Sequence, residues 1–511
     1  MEGANSERFQ QSMADSAIGP EYFWPSNVAP VERVLIVLWF VFASWQMTLA
    51  QGEWRGPTVY PEKLKRDLEV FRSALHRAHP DPYRYRSRQD IDDVFDRIRD
   101  SMVVPMDAET FMVHMLDALR PVGDAGPYFE RSAQAEQAFT HGTRILPVRV
   151  RVIEGSVYLD EEMKGFRSLP VGSRMVSVND VPISTVLDRT RAFLIGDGSN
   201  TTYTDVLLEQ QFPWLLVRAF GERSTYRIGF ETDGKRRDEV VFAMTGDEVA
   251  RTERPSSTLI QPWHYTWDPA GRTMWVRLSD MRAEVLARAG QDPAGFLDHL
   301  LRELKQNAPY AVVLDVRGAV GAEVNVVEEV FAAIATAPFR VFKSISMRSA
   351  IPSDGGSWVE LPEELYASTE GKSMQEPPVL TDMLDTHSEP VQPHPKAFLG
   401  KVYVVCDGGT RGTAAALVML AKRTRRARVV GEETGSNAAS FTAGKEARVV
   451  GPNSGTVLHI PLVKYVPDGD FEGAPDRGEM PHHVVHQAPA DIARGRDTVK
   501  ASLLELIKEL Q

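Results

Sequence analysis

The chain is 511 residues long, enough for two or three domains with sizeable cores. With 43% hydrophobic and 25% charged residues it has the balance of a soluble globular protein, and a formal net charge of -12 argues against nucleic acid as a general partner. A single cysteine, Cys406, excludes an intrachain disulfide framework and, at the end of a predicted buried strand, reads as a small core residue.

Val34 to Ala50 is an apolar run preceded by Arg33 and closed by Thr48-Leu49-Ala50, the pattern of a signal-peptide core with a small-residue cleavage site. It falls short of the ~20 apolar residues that span a bilayer. The expectation for residues 1–50 is a tail plus a signal peptide or an uncleaved anchor, with Met13 an alternative start. The protein is then exported, periplasmic or extracellular, and touches a membrane only if 34–50 is retained.

Residues 57–130 read as helical. Leu64, Leu68, Phe71, Leu75 and Ala78 recur at helical spacing behind Pro61, which suits a first-turn position. His79-Pro80 ends that helix. Ile91, Phe95, Ile98 and Met102 mark a second helix, and Phe111, Met115 and Leu119 a third, which leads into Gly123-Asp124-Ala125-Gly126-Pro127. Residues 144–250 are β-rich: Val148, Val150 and Val152 alternate, Glu154-Gly155 turns, and Leu169-Pro170-Val171-Gly172-Ser173 precedes the run Met175 to Val178.

A polar stretch, Thr252 to Gln261, leads to the last domain, 262–510. Met274 to Leu278 is a strand, Phe296 to Lys305 an amphipathic helix, and Ala311 to Asp315 a buried parallel strand running into Val316-Arg317-Gly318. Such alternation predicts a layered α/β core. Residues 353–398, rich in Pro, Ser, Gly and acids without a period, read as a mobile surface insertion. Lys401 to Gly435 reads strand, tight turn, helix, strand: Val402, Val404 and Val405 are stopped by Asp407-Gly408-Gly409, Thr410 opens an alanine-rich helix, and Val429-Val430 follows. A turn feeding a helix N-terminus stabilises negative charge and suits a nucleophile, yet the residue there is Gly412. Val457 to Leu462 is a strand, Tyr465 to Asp476 a turn-rich loop, and a helix closes the chain.

These motifs, in this order, resemble the tail-specific (C-terminal-processing) serine protease family, with its tricorn-like and retinoid-binding-protein-like branches, over roughly residues 57 to 510. The resemblance implies a helical N-terminal domain, a PDZ-like β-domain and a layered α/β core of the crotonase/ClpP-like kind. Gly409, Thr410 and Val430-Gly431-Glu432 match the family's turn and strand end. Gly412 stands at the nucleophilic serine, Ala415 at a glutamate, Asn437 at the lysine base of the processing branch, and Gly126, after the matching Asp124, at the histidine base of the tricorn-like branch. Asp315, Arg317 and Gly321 match the oxyanion segment, where Ala319 and Ala322 replace an asparagine and a glycine. By resemblance Pro170, Val171 and Gly172 belong to a peptide-binding module.

Gly412, Gly126 and Asn437 neither attack a carbonyl nor accept its proton, and such a unit loses nearly all catalysis with any one member. The expected function is a catalytically inactive relative that binds a peptide or protein chain end, or a small apolar ligand, in the former active-site cleft. The alternative is a working serine-type peptidase with a non-standard nucleophile. Thr413 is the candidate, but one helical residue on, its side chain points about 100° away. Gly321 and Thr413 are the oxyanion-region candidates. Asp468 and Glu472, on the loop where tricorn-like enzymes place a supporting acid, have no histidine to orient. No cofactor is expected, nor a metal: on an extended segment His482 and His486 stand ~13 Å apart, too far to share an ion with His483. Lys422, Arg423, Arg425, Arg426 and Arg428 read as cations offsetting a helix dipole.

Overall fold

In the computed structural model, which describes residues 57–162, 169–252, 261–348, 359–360, 362, 380–382 and 389–510, the first three helices form where the apolar spacing predicts them. The run 34–50, most of the linker before residue 261 and most of 353–398 lie outside the described residues. α1 (Pro61–Ala78) takes Pro61 in its first turn and buries Leu64, Leu68, Phe71 and Leu75. It stops before His79-Pro80, since a residue preceding proline disfavours the helical conformation. α2 (Arg88–Ser101) is capped by Ser87 and Asp90 reciprocally, and α3 (Ala108–Leu119) by Asp107. A left-handed turn at Gly123 then leads to β1 (Tyr128–Glu130) and α4 (Ala133–Gly142).

The β-rich lobe is an antiparallel sheet of β2 (Val148–Ile153), β3 (Ser156–Glu162), β4 (Arg174–Val178), β5 (Thr225–Thr232) and β6 (Lys235–Phe242) in that spatial order, with Val181–Pro182 folded against β4. Two helices lie between its strands, α5 (Ile183–Arg191) and the 19-residue α6 (Thr202–Phe220). The alternation expected of this region does not reveal α6. Pro213 sits inside it, and it is apolar on more than one side, so it carries no clean stripe. The second apolar side is used: Leu208, Phe212, Leu215 and Leu216 pack on the sheet, while another face looks into the cavity described below.

The α/β core holds two sheets. In the first, β7 (Trp263–Asp268) pairs antiparallel with β8 (Thr273–Leu278). From there β9 (Ala311–Asp315), which lies between α7 (Pro293–Asn307) and α8 (Val324–Ala332) in the chain, runs parallel beside β14 (Lys401–Cys406), β16 (Arg428–Gly431) and β19 (His483–Val484). β9 is buried along its whole length, the pattern of a parallel strand covered on both faces. The second sheet has the order β12 (Val359–Glu360), β17 (Phe441–Val450), β18 (Val457–Pro467), β11 (Phe342–Arg348) and β13 (Leu380–Asp382), with β1 added to β18. Thus the 353–398 stretch contributes two short edge strands. β18 runs 11 residues, past the predicted loop start at Tyr465, because β11 and β17 pair it on both sides.

α9 (Thr413–Arg423) has every residue from Thr413 to Ala421 buried, so its alanines are the small side chains that let neighbours close on all sides. One continuous apolar core runs from α1–α3 through α9 to both core sheets, and a separate core fills the β-rich lobe. The closing helix α10 (Thr498–Glu509) covers the other face of the first sheet through Val499, Leu503 and Ile507. Arg423 and Arg426 at the end of α9 donate to carbonyls of Ala438, Ile334 and Phe398, which gives the basic run a structural use. Among the described residues no helix is long and apolar enough to cross a membrane.

Candidate functional site

β14 ends at Cys406, and the turn after it is pinned to the loop after β9. Asp407 Oδ1 accepts from Gly409 N at 2.9 Å and Gly318 N at 2.7 Å, and Thr410 Oγ1 donates to Val316 O at 2.9 Å. Arg411 and Gly412 then form β15, which pairs parallel with β10 (Val320–Gly321), so Gly321 and Gly412 stand side by side. Gly412 caps α9 at φ 60° and ψ -137°, a backbone conformation that L side chains rarely adopt. Its N–H donates to Ser436 Oγ at 2.9 Å. The strand-to-helix turn is thus strained at a residue that carries no side chain.

A cavity of about 960 Å³ opens over this turn. Gly126, Gly321, Ala322 and Gly412 all line it, so positions nearly 300 residues apart by number meet on one wall, as the resemblance implies. The space beside each glycine is taken. A Cβ on Gly412 would lie 2.1 Å from the Gly321 carbonyl oxygen, and one on Gly126 would lie 2.5 Å from Thr442 Oγ1 and 2.7 Å from Pro461 Cγ. Asn437 does not line the cavity. It is fully buried, donating from Nδ2 to Tyr85 OH and Pro475 O at 2.7 Å each, while Ala439 N donates to its Oδ1 at 2.8 Å. Thr413 is also fully buried off the cavity wall, as its helical offset predicts, and its Oγ1 has no hydrogen-bond partner. Asp468 and Glu472 do not line the cavity either.

Behind Gly126 lies a buried polar cluster that sequence reasoning did not assemble. Asp124 accepts from Gly126 N at 2.8 Å and from Thr442 Oγ1 at 2.8 and 2.9 Å, with His79 Nε2 at 3.4 Å. Arg84 bridges Asp124, at 3.6 Å, and Asp197, at 3.3 Å, and Tyr85 OH donates to Asp197 at 2.8 Å. Burial works against the charge on both carboxylates. For Asp124, His79 and Arg84 overcome it and hold the group well below the usual range. For Asp197, burial and the Asp124 charge together push it up to about 7. The two carboxylates are therefore driven in opposite directions by their shared surroundings.

Two hydroxyls on the cavity wall were also missed, Ser436 and Thr442. Ser436 sits beside the matched position Asn437, which was the available signal; Thr442 follows no motif and reaches the wall through the β17 register. A face of α6 lines the cavity as well, with Tyr203, Leu207, Gln211, Trp214 and Arg218 recurring at helical spacing. Asp315 and Arg317 lie elsewhere, in a buried ion cluster with Arg277 and Asp497. Pro170, Val171 and Gly172 form a turn away from the cavity, where a Cβ on Gly172 would lie 2.8 Å from Ala493 Cβ. His482 accepts from Val429 N at 3.0 Å and His486 pairs with Glu432 at 2.9 Å, so these two face separate partners.

Mature CPAF shares the fold, with a TM-score of 0.61 at 14% identity, over 88% of this chain and 97% of that one. CPAF complexed with lactacystin gives a TM-score of 0.61 at 13% identity, over 88% and 98%. No curated protein sequence matches the chain. The family model of Peptidase family S41 matches residues 272–472, which span β9, β10, the Gly412 turn, α9 and β18. The α/β core with the turn over which the cavity opens is therefore the part of the chain that matches peptidase family S41, in a fold shared with mature CPAF.

Proposed function

We propose that this chain is a catalytically inert peptidase-S41-type protein that binds a peptide chain end, or another extended apolar ligand, in the cavity over Gly412. One observation carries the reading. Gly412 and Gly126, where nucleophile and base belong by resemblance, share one cavity wall, and neighbouring atoms occupy the space their side chains would need. Acyl transfer needs a nucleophile within hydrogen-bond reach of a base of suitable pKa. Ser436 Oγ receives the Gly412 N–H, and among the described residues no carboxylate or imidazole lies within hydrogen-bond distance of it. Thr442 does have an acceptor, Asp124, but a carboxylate held so acidic takes no proton from an alcohol. What is left is a cavity of mixed apolar and charged lining, of a size that suits a ligand.

A fluorophosphonate probe tests the inert half of this reading: the purified chain is expected to stay unlabelled. Labelling at Ser436 or Thr442, together with peptide turnover, overturns it in favour of an active serine-type peptidase. We further place the protein outside the cytoplasm, on the signal-like run 34–50. Mass spectrometry of the secreted and membrane fractions checks this, with a mature N-terminus after Ala50 or an intact anchor expected in one of them.

A further inference from the structure

The β-rich lobe ends in a free edge. β6 pairs with β5 on one side and, among the described residues, with no strand on the other. Lys235 to Asp238 are exposed, and so are Val240 and Phe242, at 54% and 66%. The two strands meet at the two-residue turn Asp233-Gly234, both residues at positive φ (51° and 71°), with Thr232 opposite Lys235. Residues that flank such a turn exchange hydrogen bonds, and bonded and open pairs then alternate along the hairpin. Lys235, Arg237, Glu239 and Val241 therefore turn their backbone groups to β5, in step with Ala243 N, which donates to Ser224 O at 2.9 Å. Arg236, Asp238, Val240 and Phe242 turn theirs to solvent.

An open edge strand is a template for another strand, and charges on it usually deter the pairing. A run of one sign does so because it repels its own copy. β6 instead reads Lys235-Arg236-Arg237-Asp238-Glu239, three cations followed by two acids. Antiparallel pairing bonds outward-facing residues only to each other, which leaves few registers. Centred on Arg237, it sets Arg236 opposite Asp238 of the second copy and Lys235 opposite Glu239, four oppositely charged pairs across the two-fold axis. Centred on Asp238, it gives two such pairs and opposes two carboxylates. In the first register Arg237 alone faces its own copy, and its exposed side chain is free to turn to water. Val240 then lies against Gly234 of the second copy, where a Cβ would meet nothing within 4 Å, so the apolar side chain has room to seat.

We propose that β6 is a self-association edge, pairing antiparallel with β6 of a second copy of this chain about Arg237. The net charge of -12 opposes association in general. The local match of opposite charges fixes the register, and the edge hydrogen bonds and the seating of Val240 add to it. No residue of β6 lines the cavity over Gly412, so the pairing stands apart from the reading of that cavity.

Sedimentation velocity of the full chain over a concentration series tests the pairing, and the wild type is expected to pass from monomer to dimer. Arg236→Glu and Asp238→Lys should each weaken the dimer about tenfold or more, since attraction turns to repulsion at two sites. Mixed in equal amounts, the two variants should dimerise again, because each copy then meets charges opposite to its own. A substitution that only unsettles the lobe is not rescued by mixing. Arg237→Cys should cross-link under mild oxidation, its Cα lying about 4.5 Å from that of its copy. Glu239→Cys should not, being four positions, or about 14 Å, from its own copy. The native thiol, Cys406, is buried and stays silent. A wild type that stays monomeric, single variants that dimerise like the wild type, a mixture that stays monomeric, or equal cross-linking at positions 237 and 239 overturns the assignment.

Discussion

Placing a serine at Gly412 is the sharpest test of the proposal that this turn is a closed site rather than a dormant active one. Gly412→Ser places a Cβ 2.1 Å from the Gly321 carbonyl oxygen, a backbone atom held by the β10–β15 pairing, at a φ of 60° that L residues avoid. Backbone strain of this kind costs about 1–3 kcal/mol. Forcing atoms into a packed region costs about 1–3 kcal/mol more. The stiffer unfolded chain offsets less than about 1 kcal/mol. The expected loss is about 4 kcal/mol, read as a thermal midpoint lowered by about 4 °C in a chain of this size. Gly412→Ala carries the same Cβ and should lose the same amount, so the difference between the two variants isolates the hydroxyl. Hydrolysis of unstructured peptides should stay at background in both, because the cavity wall at Gly126 offers no base. A serine variant as stable as the wild type, or one that cleaves peptides where the alanine variant does not, refutes the reasoning.

The other expectations are quicker to state. Gly126→His should destabilise the fold by about 2–4 kcal/mol in denaturant titrations, since its Cβ displaces Thr442 from Asp124 and meets Pro461, a ring that cannot swing aside. Combined with Gly412→Ser it should still give no turnover. Arg317→Met should cost about 3 kcal/mol, because it leaves Asp315, 2% exposed, with Arg277 as its remaining guanidinium. Burial alone would lower the His459 pKa, but Glu446 and Glu130, each 3.3 Å away, raise it above 6.5. A raised folded pKa means stability that is complete below the unfolded value of 6.5 and is lost as pH climbs through the folded value. Thermal midpoints should therefore fall above about pH 6.5, and His459→Gln should flatten that slope.

Local periodicity is strong where one face alone meets the core, and those parts of the chain were legible. α1 to α3 follow their apolar spacing, and Ala311 to Asp315 reads as a doubly covered strand and is one. α6 was not legible, because a helix buried on two sides shows no stripe and carries an internal proline. The same two-sided burial is what makes it a wall of the cavity.

What the amino-acid order settled by itself was an identity of parts: the turn after Cys406, the glycine that occupies it, and the glycine after Asp124 were all readable as substitutions within a known pattern. Tertiary structure alone decided that these positions share a wall, and that Gly321, Thr442 and Pro461 have filled the space their side chains would need. It alone decided too that Asp124 and Asp197, 73 positions apart by number, flank Arg84, with the first held acidic and the second pushed up. Spacing along a chain records which backbone torsions are favoured. Steric closure and shifted acidity depend on atoms brought together across the fold, and no local pattern encodes them.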